Sequence, residues 1–408
     1  MRYIKRDMES VLLSVSKQFK VVLVTGPRQA GKTTMMRKLM EKTERKFVTL
    51  DNLEARELAL NDPKTFIDMH PPPVFIDEVQ YAPNLFSYIK MRVDERQVAG
   101  DYWLSGSQIF SLMRGVSESL SGRVCLLGLF PLSQNEIHNH KPVEPLNTDF
   151  TRLQERVKGI PKASPHEVFS RIFMGGMPAI ASGQVFDRER LYGSYVATYI
   201  ERDVRDLSGD IDVLKFHRFM VAVAARCSQL VNYKAISDDA EIDQVTAKNW
   251  LNILETLGLI FYLHPYSNNL LKRTIKSPKL YFYDSGLVAY LTKWNTVDTL
   301  MTGAQSGALF ENFVVSEVMK GYYNSGHRPH LNYYRDKDGK EIDLMWLENG
   351  TLYPLEIKKT LNPSARLSSA FKVLEKTDKI LGKGGVVCLH EDFIPLNKNN
   401  SIIPVRCV

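Results

Sequence analysis

Eight consecutive residues, Gly26-Pro27-Arg28-Gln29-Ala30-Gly31-Lys32-Thr33, fit the spacing G-x-x-x-x-G-K-[ST]. Two glycines allow a tight loop whose backbone N–H groups point at phosphate oxygens. The lysine brings charge to the terminal phosphates, and the final hydroxyl can ligate Mg²⁺. An apolar run at 21–25 precedes the loop and a helical run at 34–40 follows it, so the loop opens onto a helix N-terminus whose dipole favours phosphate. The expected nucleotide-binding residues are therefore Gly26, Pro27, Arg28, Gln29, Ala30, Gly31, Lys32, Thr33 and Thr34. Downstream, Val74-Phe75-Ile76-Asp77-Glu78 is an apolar strand ending in two acids. Asp77 is placed to organise Mg²⁺ with Thr33, and Glu78 to polarise an attacking water. Ser107, in the small polar turn after the strand-like run 102–105, could sense the terminal phosphate. Arg123, in Ser121-Gly122-Arg123, could reach a neighbouring subunit's nucleotide, or be an ion-pair arginine of the surface.

A second set of chemically capable residues lies near the C-terminus. Asp343 and Glu356 fall in two strand-like runs joined by Asn349-Gly350, a strong hairpin signal, so they should lie on paired strands. Glu356 and Lys358 are two apart and share one strand face. Glu311 lies on an amphipathic helix upstream. This arrangement resembles the PD-(D/E)xK nuclease fold. The resemblance implies a second Mg²⁺ held by Glu311, Asp343 and Glu356, with Lys358 positioning or activating water. A nuclease-like scaffold that binds DNA without cutting is the other reading, and solvated surface charge the plainest one.

The elements that must position these groups follow from the pattern. Apolar runs at 21–25, 47–50, 74–77, 102–105 and 124–129 alternate with segments long enough for crossover helices, which predicts an α/β unit with a parallel sheet covered by helices. From 138 to 165 the chain is polar and holds several prolines, which predicts a loop or linker. Residues from about 166 to 295 read as mostly helical. Within them, two short helices near 234–237 and 244–257, then strands at 259–263 and 279–283, outline a winged helix-turn-helix. Gln244, Thr246, Lys248, Asn249 and Asn252 would face DNA, and Val245, Leu251, Leu254 and Leu257 the core. The basic stretch Lys272-Arg273-Thr274-Ile275-Lys276 would be the wing. The acids Asp238, Asp239, Glu241 and Asp243 weigh against phosphate contact, although Asp243 reads more simply as a helix N-cap. Domain–domain packing is the alternative role for this unit.

Taken together, Gly-Pro-Arg-Gln-Ala-Gly-Lys-Thr-Thr, Phe-Ile-Asp-Glu-Val-Gln, Leu-Ser-Gly-Ser and Ser-Leu-Ser-Gly-Arg resemble the AAA+-type ATPases of bacteria and archaea that carry a C-terminal domain of unknown function. Tyr199-Ile200-Glu201-Arg202-Asp203-Val204 and Tyr283-Asp284-Ser285-Gly286-Leu287 look like that family's second half. The resemblance implies ATP and Mg²⁺ as cofactors, self-assembly into a homo-oligomeric ring (a hexamer among the options) and a link to DNA. Arg202, Arg205 and Arg226 all stand where a second sensor arginine could fall.

The expected division is 1–140 for the ATPase core, 141–225 for a linker and helical segment, 226–300 for the winged-helix-like unit and 301–408 for an α/β restriction-endonuclease-like unit. With 408 residues, 44% hydrophobic and 24% charged, each can bury a core. The net charge of +7 is compatible with nucleic acid, but the basic residues form no long run. No apolar stretch reaches membrane-spanning length, and no secretory signal is visible. Four dispersed cysteines point to a reducing compartment, hence the cytoplasm. The leading expectation is an ATP-hydrolysing machine that remodels or translocates on DNA. An ATP-regulated nuclease and a nucleotide-dependent regulatory switch with a DNA-binding winged helix are the alternatives.

Overall fold

The computed structural model describes residues 2–107, 119–140, 144–209, 211–266, 277–336, 339–377 and 379–408, and only the backbone of 199–202, 206, 208 and 376. Gln108, at the end of the expected sensor turn, and the expected basic wing at 272–276 lie outside the described residues.

The N-terminal unit is a five-stranded, all-parallel sheet. Strands β1 (Val21–Thr25), β2 (Lys46–Thr49), β3 (Val74–Asp77), β4 (Tyr102–Gly106) and β5 (Val124–Gly128) run in the order β2-β3-β4-β1-β5. The period-2 alternation splits their side chains between two cores, as a parallel sheet with both faces covered requires. Val21, Leu23, Ile76 and Leu104 pack on the side of α4 (Pro63–Met69) and α5 (Leu85–Arg96), which follow α3 (Leu53–Asn61). Val22, Val24, Phe75 and Trp103 pack under α1 (Met8–Val15) and α2 (Lys32–Met40).

The segment expected as a linker is partly helical. Beyond α6 (Gln134–His138), α7 (Phe150–Gly159) forms within it, capped by Asp149, whose side chain accepts from Thr151 N at 3.0 Å and Arg152 N at 3.2 Å. The apolar stripe of α7 is Phe150, Leu153 and Val157 at i, i+3 and i+7, with Leu153 buried and Val157 packed on the core, a short pattern that the sequence reading passed over among the polar residues. Then follow α8 (Pro165–Met174), α9 (Pro178–Ala181), α10 (Arg188–Tyr195), α11 (Glu201–Ser208) and α12 (Val213–Ala224).

Helices α13 (Tyr233–Ala240) and α14 (Gln244–Thr256) precede an antiparallel hairpin of β6 (Ile260–Pro265) and β7 (Lys279–Phe282). The α14 face that packs inward is Ala247, Trp250, Leu251 and Leu254, with Trp250 edge-on to Phe216 and Phe219. Val245, expected in the core, is 69% exposed because it lies two residues off this i, i+3, i+4, i+7 stripe.

After α15 (Ser285–Leu291) and α16 (Val297–Thr302), the long helix α17 (Ser306–Asn324) backs a mixed sheet. Its strands are β8 (Leu331–Arg335), β9 (Glu341–Glu348), β10 (Thr351–Lys358), β11 (Ile380–Leu381), β12 (Gly384–Cys388), β13 (Ile394–Pro395) and β14 (Asn400–Pro404). The order is β13-β14-β12-β10-β9-β8-β6-β7, with β11 beside β10. The hairpin β6–β7 is thus part of the C-terminal sheet, through the pairs His264↔Asn332 and Pro265↔Tyr333. Asn349 and Gly350 both have positive φ, 49° and 78°, and turn β9 into β10 as their sequence predicts. Among the described residues no helix is long and apolar enough to cross a membrane.

A buried guanidinium joins these units. Arg6 donates from Nε to Glu136 Oε1 at 2.7 Å, and from its terminal nitrogens to the carbonyls of Ala30 at 2.7 Å and Phe130 at 2.8 Å. Glu136 also accepts from the backbone N–H of Asp7 and of Ser133. Burial pushes the Glu136 carboxyl up, but Arg6 and the backbone donors outweigh it and hold it below the usual range. Removing one partner of a buried pair leaves a charge without compensation, at about 3–5 kcal/mol. Arg6→Ala should lower unfolding stability by that order in urea titrations. A change within experimental error would show that the pair is structurally idle.

Candidate active site

The phosphate loop owes its shape to two glycines. Gly26 has φ +143°, and a Cβ there would lie 1.9 Å from the Leu129 carbonyl oxygen, so no other residue fits. Gly31 has φ +93° and caps α2, turning the chain so that Lys32 and Thr33 open the helix. The Lys32 ammonium is buried and donates to the carbonyls of Gly26 at 2.8 Å and Pro27 at 2.9 Å. Burial lowers it to about 8, although Glu78 and Asp77 push the other way.

Asp77 closes β3 beside the loop. It accepts from the Thr33 hydroxyl at 2.9 and 3.0 Å and from the Ser105 hydroxyl on β4. Burial raises its pKa, with the Ser105 and Thr33 hydroxyls opposing. The next residue, Glu78, has φ +56°, a left-handed turn that leaves the strand direction. The Gln80 amide donates to Glu78 and lies 3.3 Å from the Ser107 hydroxyl. The structure therefore brings Lys32, Thr33, Asp77, Glu78 and Ser107 together. Ser105 and Gln80 are additions that sequence reasoning passed over. A serine inside an otherwise apolar strand was the available signal for Ser105.

Beside the loop is a cavity of about 540 Å³, within the range of small-molecule sites. Its lining includes Lys32, Thr33, Glu78, Tyr3, Ile4 and Pro178. The helical middle also grips the loop. Arg28 Nε donates to Asp203 Oδ2 at 2.6 Å, its terminal nitrogen lies 3.3 Å from the Tyr81 hydroxyl, and the Tyr195 hydroxyl lies 3.4 Å from the Arg28 carbonyl. Asp203 belongs to the run Tyr199–Val204 singled out above, but its role as the loop's partner was not foreseen.

Arg123 is elsewhere. It precedes β5, whose Val124 is level with Val21, so it lies at the strand ends opposite the phosphate loop. There it forks onto Asp94 of α5 at 2.5 and 2.8 Å. Of the three candidates for a second sensor arginine, Arg226 is bound to Asp239 at 2.6 Å and to the Ala222 carbonyl at 2.9 Å. Arg205 is exposed, and the Arg202 side chain lies outside the described residues.

The C-terminal acids also converge, around a residue the sequence reading did not include. Asp343 Oδ2 accepts from Ile357 N at 2.9 Å and Lys358 Nζ at 3.0 Å, and Lys358 lies 2.7 Å from Glu356. The Lys279 ammonium, from β7, lies 2.9 Å from Glu311, 2.5 Å from Glu341 and 3.8 Å from Asp343. The Tyr281 hydroxyl adds a 2.7 Å bond to Glu311. Burial and the Asp343 charge push both Glu311 and Glu356 up to about 7. Among the described residues, one Glu356 oxygen is buried without a hydrogen-bond partner.

Three stretches of the chain match known families. Residues 18–138 match a family described as an AAA domain, 166–298 a domain of unknown function (DUF8612) and 306–408 another (DUF4143). The N-terminal unit has the AAA-type P-loop ATPase fold. Along its length the chain is similar to an uncharacterized protein of Mycobacterium tuberculosis, 27% identical over 98% of this chain and 83% of that protein. An uncharacterized protein of Methanocaldococcus jannaschii is 20% identical over 90% and 80%. Among solved structures, the Walker-type ATPase of Pyrococcus abyssi aligns with a TM-score of 0.45 at 13% identity, over 70% of this chain and 94% of that one.

The low Lys32 pKa generates a linkage. Phosphate oxygens favour the charged amine, so nucleotide binding should raise its pKa above about 8. Between pH 8 and 9 the complex then holds more protons than the free partners, and ATP binding should take up protons. Calorimetry in buffers of different ionisation enthalpy would read this uptake. Lys32→Met should abolish it; equal uptake in that variant would assign the proton elsewhere.

Proposed function

We propose that the chain binds ATP with Mg²⁺, hydrolyses it, and uses the cycle to work on DNA as a remodelling or translocating machine. The observation that carries the ATPase reading is the Thr33–Asp77–Ser105 cluster at the mouth of the phosphate loop. Its hard oxygen donors, at a helix N-terminus, suit Mg²⁺. Thr33 and Asp77 would hold that ion, and when bound it neutralises charge on the β- and γ-phosphates. Lys32 exchanges its loop carbonyls for phosphate oxygens. Glu78 orients a water and accepts its proton. Ser107, tied to Glu78 through Gln80, reports the terminal phosphate.

Arg123 cannot serve its own chain's nucleotide from the far strand ends and is ion-paired with Asp94 in the isolated chain; its proposed role is toward a neighbouring copy of a ring-like assembly. The DNA-facing surface is α14, where Gln244, Lys248, Asn249 and Asn252 are exposed. The nearby acids are largely spoken for. Asp239 is paired with Arg226, Glu241 with Arg218, and Asp243 caps α14 while accepting from the Thr246 hydroxyl at 2.6 Å. Phosphate repulsion from this edge is correspondingly reduced.

Lys32→Ala should lose turnover with the fold kept, and Glu78→Gln should bind ATP but hydrolyse it at least a hundredfold more slowly, within the range of about 10²–10⁴ for a lost general base. DNA should stimulate the wild-type rate; slow turnover indifferent to every DNA form would leave a switch, not a motor. Mixing inactive Lys32→Ala with inactive Arg123→Ala should restore part of the activity, because some interfaces regain one intact loop and one intact arginine. No restoration in co-assembled mixtures would remove the action in trans.

A further inference from the structure

The nuclease resemblance implies a divalent metal on Glu311, Asp343 and Glu356, and the residues present do not fit one. Metal ligands must offer oxygen lone pairs to a common point at about 2.0–2.6 Å. Among the described residues no three carboxylate, imidazole or thiolate groups converge in that way. The position between them is taken up by the Lys279 ammonium, which faces Glu311, Glu341 and Asp343 together. Lys358 covers the remaining edge, bridging Asp343 and Glu356. Each of the four carboxylates already has a lysine within 3.0 Å.

We propose that Lys279 is the resident cation of this centre. Its ammonium stands among the carboxylates in the place a divalent ion would take, and the C-terminal unit neither takes up metal there nor cuts DNA. Three observations support the assignment. Lys279 is 4% exposed, so the charge is committed to the interior. Its backbone is fixed in β7 opposite Leu263 and bridges Leu230, so the residue cannot leave without opening the sheet. Lys279 and Lys358 already stand between the acids, so a divalent ion would have to displace an ammonium to reach oxygens of Glu311, Asp343 and Glu356 together. The same bond fastens the β6–β7 hairpin to α17 and β9. The cluster is thus a tether that holds the expected DNA-binding unit to the C-terminal sheet, and it stands or falls independently of the ATP site.

The test is Mn²⁺ binding to the full chain without nucleotide, followed by the loss of free-ion signal in electron paramagnetic resonance. Wild type should show no site that Asp343→Asn removes. Lys279→Met should gain one Mn²⁺ per chain, lost again when Asp343→Asn is added, whereas Lys279→Arg should gain none. DNA incubated with wild type in Mg²⁺ or Mn²⁺ should stay intact. An Asp343-dependent Mn²⁺ site in wild type, or cleavage that Asp343→Asn abolishes, overturns the proposal. So does a folded Lys279→Met that binds no more Mn²⁺ than wild type. Should the methionine variant not fold, the wild-type titration and cleavage assay still decide.

Discussion

The Arg6 guanidinium sits where the phosphate loop, the exit of the first sheet and the cap of α6 converge, and much of the molecule's relative geometry hangs on its satisfaction. It holds the Ala30 carbonyl of the loop and lines the cavity beside it. Through Glu136 it is joined to the Ser133 capping box. One residue further, Gln134 N donates to Glu317 of α17 at 2.8 Å, and Lys320 of α17 reaches the Leu132 carbonyl at 3.2 Å. The phosphate loop is therefore linked to the C-terminal helix through a short chain of buried polar bonds. Glu311 lies six residues up that helix from Glu317, about 9 Å at 1.5 Å per residue. A rearrangement of the loop has a contiguous physical route to the C-terminal cluster, on one rigid element. Coupling along it depends on whether that element has two arrangements.

The phosphate loop, the five parallel strands and the Asn349-Gly350 hairpin were legible because each is a local pattern: glycine spacing, apolar runs bounded by turns, and two consecutive residues tolerant of positive φ. The convergence of Glu311, Asp343, Glu356 and Lys358 was legible for a related reason, since a hairpin register places 343 beside 356. What stayed hidden is what long-range packing decides. Arg6, Asp203 and Lys279 find partners 130, 175 and 32 residues away, and no spacing in the chain announces them. Val245 was misread because any apolar residue near a helical stripe looks core-facing until the stripe's phase is fixed by Trp250. The helix α7 was missed because its three-residue stripe, Phe150, Leu153 and Val157, is short and set among charged residues.

Two buried lysines show how partners decide what a cation can do. Lys32 and Lys279 are equally hidden from solvent, at 5% and 4% exposure. Lys32 meets neutral carbonyls, which satisfy its protons but do not offset the loss of water, so its affinity for a proton falls. That ammonium is poised for anionic oxygen, since phosphate supplies the charge the loop withholds. Lys279 meets carboxylates, whose charges outweigh burial and raise its pKa. It gains nothing by moving. The first environment suits a site that exchanges ligands; the second suits a permanent joint.

The same reasoning bears on Arg123. Its bond to Asp94 is a fork of good geometry, but both side chains are about a third exposed, so water screens the attraction on either side of the exchange. An arginine held this way is pre-oriented at the sheet's far end yet only weakly retained. In the proposed ring a neighbouring copy's triphosphate would offer several charges in a site closed from water by the interface, where each interaction counts for more. In the proposed reading Asp94 keeps Arg123 extended and solvated until a neighbour arrives, and the pair need add little to the stability of the isolated chain for that role.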